Sequence, residues 1–123
     1  MASPSQADWG RLKKLGRYLK GKPRLVWRFG WQEQPDELTT YSDSDWAGDK
    51  SSRKCTSGGV IKYGEHVLQT WAKGQSIIAL STAEAEMYAL IKATSEALGQ
   101  MSLYKEWNLV LSGKMYSDAS AAL

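Results

Sequence analysis

The chain has 123 residues, 42% hydrophobic, 24% charged and 11% aromatic, proportions that suit one packed domain and exclude a wholly disordered chain. A single cysteine, Cys55, excludes an internal disulfide framework. No apolar run nears the roughly 18–20 residues of a bilayer span, so no membrane partner is expected.

The formal charge of +3 conceals a division. Residues 1–30 carry eight of the sixteen basic side chains against one acid, whereas residues 31–123 carry eight basic and twelve acidic ones. A basic arm is thus joined to a body that is rich in carboxylates, the pattern of a polyanion handle beside acid chemistry. Within the arm, Ser5 and Asp8 three residues later predict a capping box. Trp9, Leu12, Leu15, Gly16 and Leu19 then recur at helical steps, with Arg11, Lys14 and Arg17 between them. Gly21 and Pro23 end this helix. Residues 25–31, aromatic and branched, read as a strand, and residues 32–37, with Pro35, as a loop. The arm is therefore drawn as residues 1–37 and the body as 38–123.

The body opens with a strand over 38–45 and a polar loop over 46–57. Residues 58–63 and 66–72 read as a hairpin around Gly64-Glu65. Residues 77–80 are short and apolar. A helix covers 82–98 and can continue to 107 despite Gly99. Its expected core face is Ala83, Met87, Leu90, Ala97, Leu98 and Met101, at about 100° per residue. Residues 115–118 read as a last strand and 119–123 as the start of a helix. Trp46 and Trp71 are expected in or near the core. The element order predicts an α/β fold: a three-strand antiparallel meander, a crossover helix and a parallel fourth strand, preceded by a basic helix and strand.

Carboxylates gather at element ends: Asp43 and Asp45 on the first body strand, Glu84 and Glu86 in the helix's opening turns, Asp118 on the last strand. Neighbouring parallel strands bring such ends to one rim, where ligands bind. Three carboxylates meeting there repel one another unless protonated or bridged by cations. Hard oxygen donors without a His or Cys cluster favour two Mg²⁺ or Mn²⁺ ions, the equipment of phosphodiester hydrolysis by in-line displacement. Asp43 and Asp45 point to the same strand face, so alternation leaves both open as first ligand. Glu86 lies about 60° from the centre of the expected core face and Glu84 about 100° on the other flank, which aims Glu86 better at the rim. Ser81 and Thr82 can hold a phosphate at the helix start or simply cap the helix. Lys73, Gln75, Arg53 and Lys54 are candidates for a nucleic-acid backbone, together with Arg11, Lys14 and Arg17 of the arm.

Residues 41–49, Tyr-Ser-Asp-Ser-Asp-Trp-Ala-Gly-Asp, resemble the opening signature of the ribonuclease H domain of copia-type LTR retrotransposon polyproteins. Residues 53–59, Arg-Lys-Cys-Thr-Ser-Gly-Gly, fit the same family, as do Trp71 and Gln75. The most specific stretch is 79–90, Ala-Leu-Ser-Thr-Ala-Glu-Ala-Glu-Met-Tyr-Ala-Leu, and residues 116–122, Tyr-Ser-Asp-Ala-Ser-Ala-Ala, match the third motif. The arm is similar to the segment that joins reverse transcriptase to this domain. The resemblance implies a ribonuclease H-like mixed sheet and metal-dependent cleavage of the RNA strand of RNA–DNA hybrids. It makes Asp43, Glu86 and Asp118 the metal ligands, with Asp45 as the alternative. It further implies a polymerase region in the same polyprotein and an intracellular setting, cytoplasmic or nuclear.

Two departures stand out. Ala119 replaces an Asn common in the family, and the sequence stops at Leu123, before the family's further strand, helix and late Asp. Incompleteness at the C-terminus is therefore expected, with weak metal binding or inactivity of the isolated fragment. Two other functions compete: an inactive ribonuclease H-like module that binds or tethers nucleic acid, and an integrase-like nuclease or transferase, which the helix motif disfavours.

Overall fold

A computed structural model describes residues 4–24, 26–46, 48 and 52–118. The chain falls into two compact units, Met1–Gly30 and Trp31–Leu123. The first contains α1 (Gln6–Gly21). Its start is held by the reciprocal hydrogen bonds of a capping box, with the Asp8 backbone N–H donating to Ser5 Oγ at 3.3 Å and the Ser5 N–H to Asp8 Oδ2 at 2.9 Å. The Ser5 backbone donor, helped by its hydroxyl, holds the Asp8 carboxyl below its ordinary range. None of the helix's residues is buried. The strand expected over 25–31 does not form: described residues 26–31 have no strand structure, and residue 25 lies outside the described set. Val26, Trp27, Phe29 and Trp31 are all half or more exposed. Aromatic and branched side chains favour a strand only where a neighbouring strand supplies ladder bonds, and none of the strands pairs with the described residues 26–31.

The second unit is built on β1 (Glu37–Asp45), β2 (Thr56–Tyr63), β3 (His66–Gly74), α2 (Thr82–Glu106) and β4 (Ser112–Ser117). The strands form one sheet in the order β3-β2-β1-β4. β1 and β3 run antiparallel to β2, and β4 runs parallel to β1. This is the meander, crossover helix and parallel fourth strand of the expected α/β fold, and it agrees with a ribonuclease H-like sheet. The β2–β3 turn has Gly64 at φ 59°, a conformation that glycine adopts without steric cost. Gln32 closes this turn from outside the sheet. Its Nε2 donates to the Tyr63 carbonyl at 3.0 Å, and its Oε1 accepts the Glu65 N–H at 2.9 Å.

α2 runs unbroken through Gly99 to Glu106. It ends in a Schellman arrangement, with the Leu109 N–H on the Tyr104 carbonyl and the Asn108 N–H on that of Lys105, both at 3.0 Å. Asn108 occupies the left-handed position, φ 60°. The returning chain then buries Leu111 with Leu38 and Ile61, and Tyr63, Trp71, Met101 and Tyr104 pack against them.

The face that α2 turns inward matches the expected one only in part: Ala97 is buried and Met101 packs against the core as expected. Ala85, Ala89, Ala93 and Ala97 are buried at steps of four, whereas Met87 and Leu98 are 44% and 56% exposed. The buried Thr40 and Ser42 of β1 share the α2-side sheet face. A row of methyl groups lets the helix axis approach that face more closely than Met or Leu would allow. Ala89→Leu should therefore overpack the interface and cost about 1–3 kcal/mol, read as a lower denaturant midpoint at unchanged slope. Trp46, expected near the core, is 45% exposed on the turn after β1. The helix expected over 119–123, and Ala119 with it, lies outside the described residues.

Candidate metal centre

β1 and β4 are parallel neighbours, with Ser42 in register with Ser117, so their C-terminal ends open on the same edge of the sheet. Asp43 lies on the last turn of the pleat in β1, and Asp118 directly follows β4. Glu86 stands near the start of α2, on the turn that passes over this edge. One carboxylate oxygen from each of Asp43, Glu86 and Asp118 lies within 4.8 Å of the others. Asp43 and Asp118 are exposed and Glu86 is half-buried. Among the described residues no Lys or Arg forms an ion pair with any of the three.

The Glu86 carboxylate is divided in its duties. Its Oε1 accepts a hydrogen bond from Ser44 Oγ at 2.7 Å, while its Oε2 is buried and has no hydrogen-bond partner among the described residues. The hydroxyls of Thr40 and Ser42 likewise have no hydrogen-bond partner among the described residues. A lone carboxylate oxygen costs more than a lone hydroxyl, because the charged group loses more hydration on burial. A divalent cation shared with Asp43 and Asp118 would remove that cost. Hard, anionic oxygens at this spacing suit Mg²⁺ or Mn²⁺.

The remaining candidates separate by position. Asp45 is outside the cluster: its carboxylate lies against Gly48, filling the space that a Cβ there would need. Glu84 is engaged locally, its Oε2 accepting the Leu80 N–H at 2.7 Å. Ser81 is the N-cap of α2, its Oγ accepting the Glu84 N–H at 3.2 Å, and Thr82 begins the helix. Lys73, Arg53 and Lys54 are exposed. On α1, Lys14 and Arg17 are exposed, and Arg11 pairs with Asp8 at 3.1 Å.

Gln75 corrects the sequence expectation. It is buried, 8% exposed, and its Nε2 donates to Ser57 Oγ and to the Ala85 carbonyl, both at 2.9 Å. Its backbone N–H donates to the Cys55 carbonyl at 2.7 Å. A side chain spent in this way ties β2 to the first turns of α2 and has no surface to offer a nucleic acid. Polarity in a loop suggested exposure; the fold needed the amide to satisfy a helix carbonyl. Ser44 was missed altogether. The signal for it was strand alternation, which sends the residue after Asp43 to the opposite face, toward the helix.

No family model matches the chain, and no solved structure matches it. It is 37% identical over 97 residues to secreted RxLR effector protein 161 of Plasmopara viticola, covering 79% of this chain and 68% of that protein. It is 33% identical over 112 residues to the retrovirus-related Pol polyprotein from transposon RE2 of Arabidopsis thaliana, covering 91% of this chain. With the corresponding polyprotein from transposon TNT 1-94 of Nicotiana tabacum, identity is 29% over 109 residues, 89% of this chain. The chain spans about 8% of the length of these two polyproteins.

Proposed function

We propose, from the premise that the chain belongs to the family of secreted RxLR effector protein 161 and is homologous to a segment of retrotransposon Pol polyproteins, that it carries a metal-dependent ribonuclease H-type centre. Its reaction is endonucleolytic hydrolysis of the RNA strand of an RNA–DNA hybrid. Its setting is a polyprotein that also holds the reverse transcriptase polymerase region. The observation that supports this reading is the meeting of Asp43, Glu86 and Asp118 oxygens within 4.8 Å, with Glu86 Oε2 buried and unpartnered among the described residues.

Asp43, Glu86 and Asp118 would hold the cations. A pair of divalent cations, when bound, supplies Lewis-acid stabilisation to the attacking and leaving oxygens of an in-line displacement at phosphorus. The protein's part is placement. The three carboxylates come from a rigid strand, the end of its parallel neighbour and a packed helix, so little reorganisation accompanies binding. Exposed Lys73, Arg53 and Lys54 supply positive charge for the phosphate backbone, and the basic arm adds sequence-independent, salt-sensitive affinity. Among the described residues no helix is long and apolar enough to cross a membrane.

The test is a labelled RNA–DNA hybrid incubated with the chain and Mg²⁺ or Mn²⁺. The RNA strand should be cut internally, the reaction should stop with a chelator, and Asp118→Asn should lower the rate by at least about 100-fold. Hybrid binding with steep salt dependence and no metal-dependent product would replace this reading with a binding or tethering module.

A further inference from the structure

We infer that Ser44 is a positioning residue for the metal centre, acting through Glu86; this rests on the carboxylate reading above. Ser44 is adjacent to Asp43 on β1 and opposite Ser57 on β2. Alternation therefore presents the two β1 side chains to opposite sheet faces: Asp43 to the open face, Ser44 toward α2. At the sheet's edge the Glu86 side chain reaches from the helix to where both are accessible. Ser44 Oγ donates to its Oε1 at 2.7 Å, within the range of a hydrogen bond strengthened by an ionised acceptor.

A glutamate has three side-chain torsions, and fixing them costs rotamer entropy. Here the cost is met before any ion arrives. Gln75 Nε2 holds the Ala85 carbonyl, one residue before Glu86, and the same amide holds Ser57 Oγ, the register partner of Ser44. The backbone behind Glu86 is thus anchored by Gln75, and the tip of its side chain by Ser44. With one carboxylate oxygen fixed, the place of the other follows from covalent geometry. Oε2, unpartnered among the described residues, is the oxygen that remains for a cation. Ser44 sets metal affinity without touching the ion.

The deciding experiment titrates the metal-free chain with Mn²⁺, followed by calorimetry and by loss of the free-ion paramagnetic resonance signal. Ser44→Ala should weaken Mn²⁺ binding by about 10–100-fold, the range typical of groups that orient a metal ligand. Ser44→Thr, which keeps the hydroxyl in a strand-compatible residue, should restore binding to within about threefold of the original. Thermal melts of the metal-free variants report folding separately. Equal Mn²⁺ affinity in the original chain and Ser44→Ala would overturn the role of Ser44 and leave the metal centre standing. A folded original chain that binds no Mn²⁺ would overturn both.

Discussion

Glu86→Gln will yield a chain that is more stable without metal and no longer responds to it. In the metal-free protein three carboxylates share a space of 4.8 Å with no cationic partner among the described residues. Each pair of like charges at such a distance costs about 1 kcal/mol even with water-like screening. The amide of Gln keeps the acceptor for Ser44 Oγ, and in the alternative position it offers N–H donors to Asp43 and Asp118. Two of the three pairs involve Glu86, so denaturation in chelator should show a gain of about 1–2 kcal/mol. Adding Mn²⁺ should stabilise the original chain progressively, as mass action requires of a ligand bound by the folded state. In the variant that response should shrink, with affinity reduced by at least about 100-fold, beyond what is typical of groups behind a ligand. Unchanged metal-free stability with unchanged Mn²⁺ response would mean that the three acids do not act together.

Gly59→Ala should destabilise the sheet severely, by about 3 kcal/mol or more. A Cβ at Gly59 would stand within 2.6 Å of Trp71 Cζ2, Cη2 and Cε2. Gly59 and Trp71 are register partners on β2 and β3, and the indole covers the glycine and packs against the Leu38–Ile61–Leu111 core. The ring cannot yield without leaving that core, and displacing a packed Trp carries a penalty comparable to deleting a large core side chain. Gly58→Ala is the control. One residue earlier, its Cβ meets only the Trp71 carbonyl oxygen, at 3.8 Å, an ordinary contact. Urea melts of the two variants should separate clearly, with Gly58→Ala close to the original. Matching melts would show that Trp71 has another place to pack.

The pair also marks what the sequence could reveal. Gly58-Gly59 identifies a strand poorly, because glycine carries no side chain and lowers strand propensity; its purpose emerges only when the facing strand brings Trp71 over it. Strand order and direction were legible, because the alternation in β1 to β3 and the length of the crossover admit few topologies. That carboxylates gather at one rim followed from their places at element ends; the choice of Asp43 among them rested on the family resemblance. Asp43 and Asp45 could not be separated by alternation, because two residues apart they share a face; the turn that lays the Asp45 carboxylate against Gly48 separates them. The inner face of α2 was misread in part because hydrophobic periodicity weights Met87 and Leu98 above alanine, whereas close approach to Thr40 and Ser42 selects for small volume. Residues 26–31 had strand composition without a strand to join, a fact that no local pattern carries.

The Gln32 carboxamide bridges both sides of the β2–β3 turn, yet it precedes every strand of the sheet. The hairpin tip thus depends on chain that a strand-based dissection would discard. A trimmed version beginning at Glu37 would expose the Tyr63 carbonyl and Glu65 amide to solvent exchange, so the smallest self-sufficient piece of the sheet unit must retain residue 32.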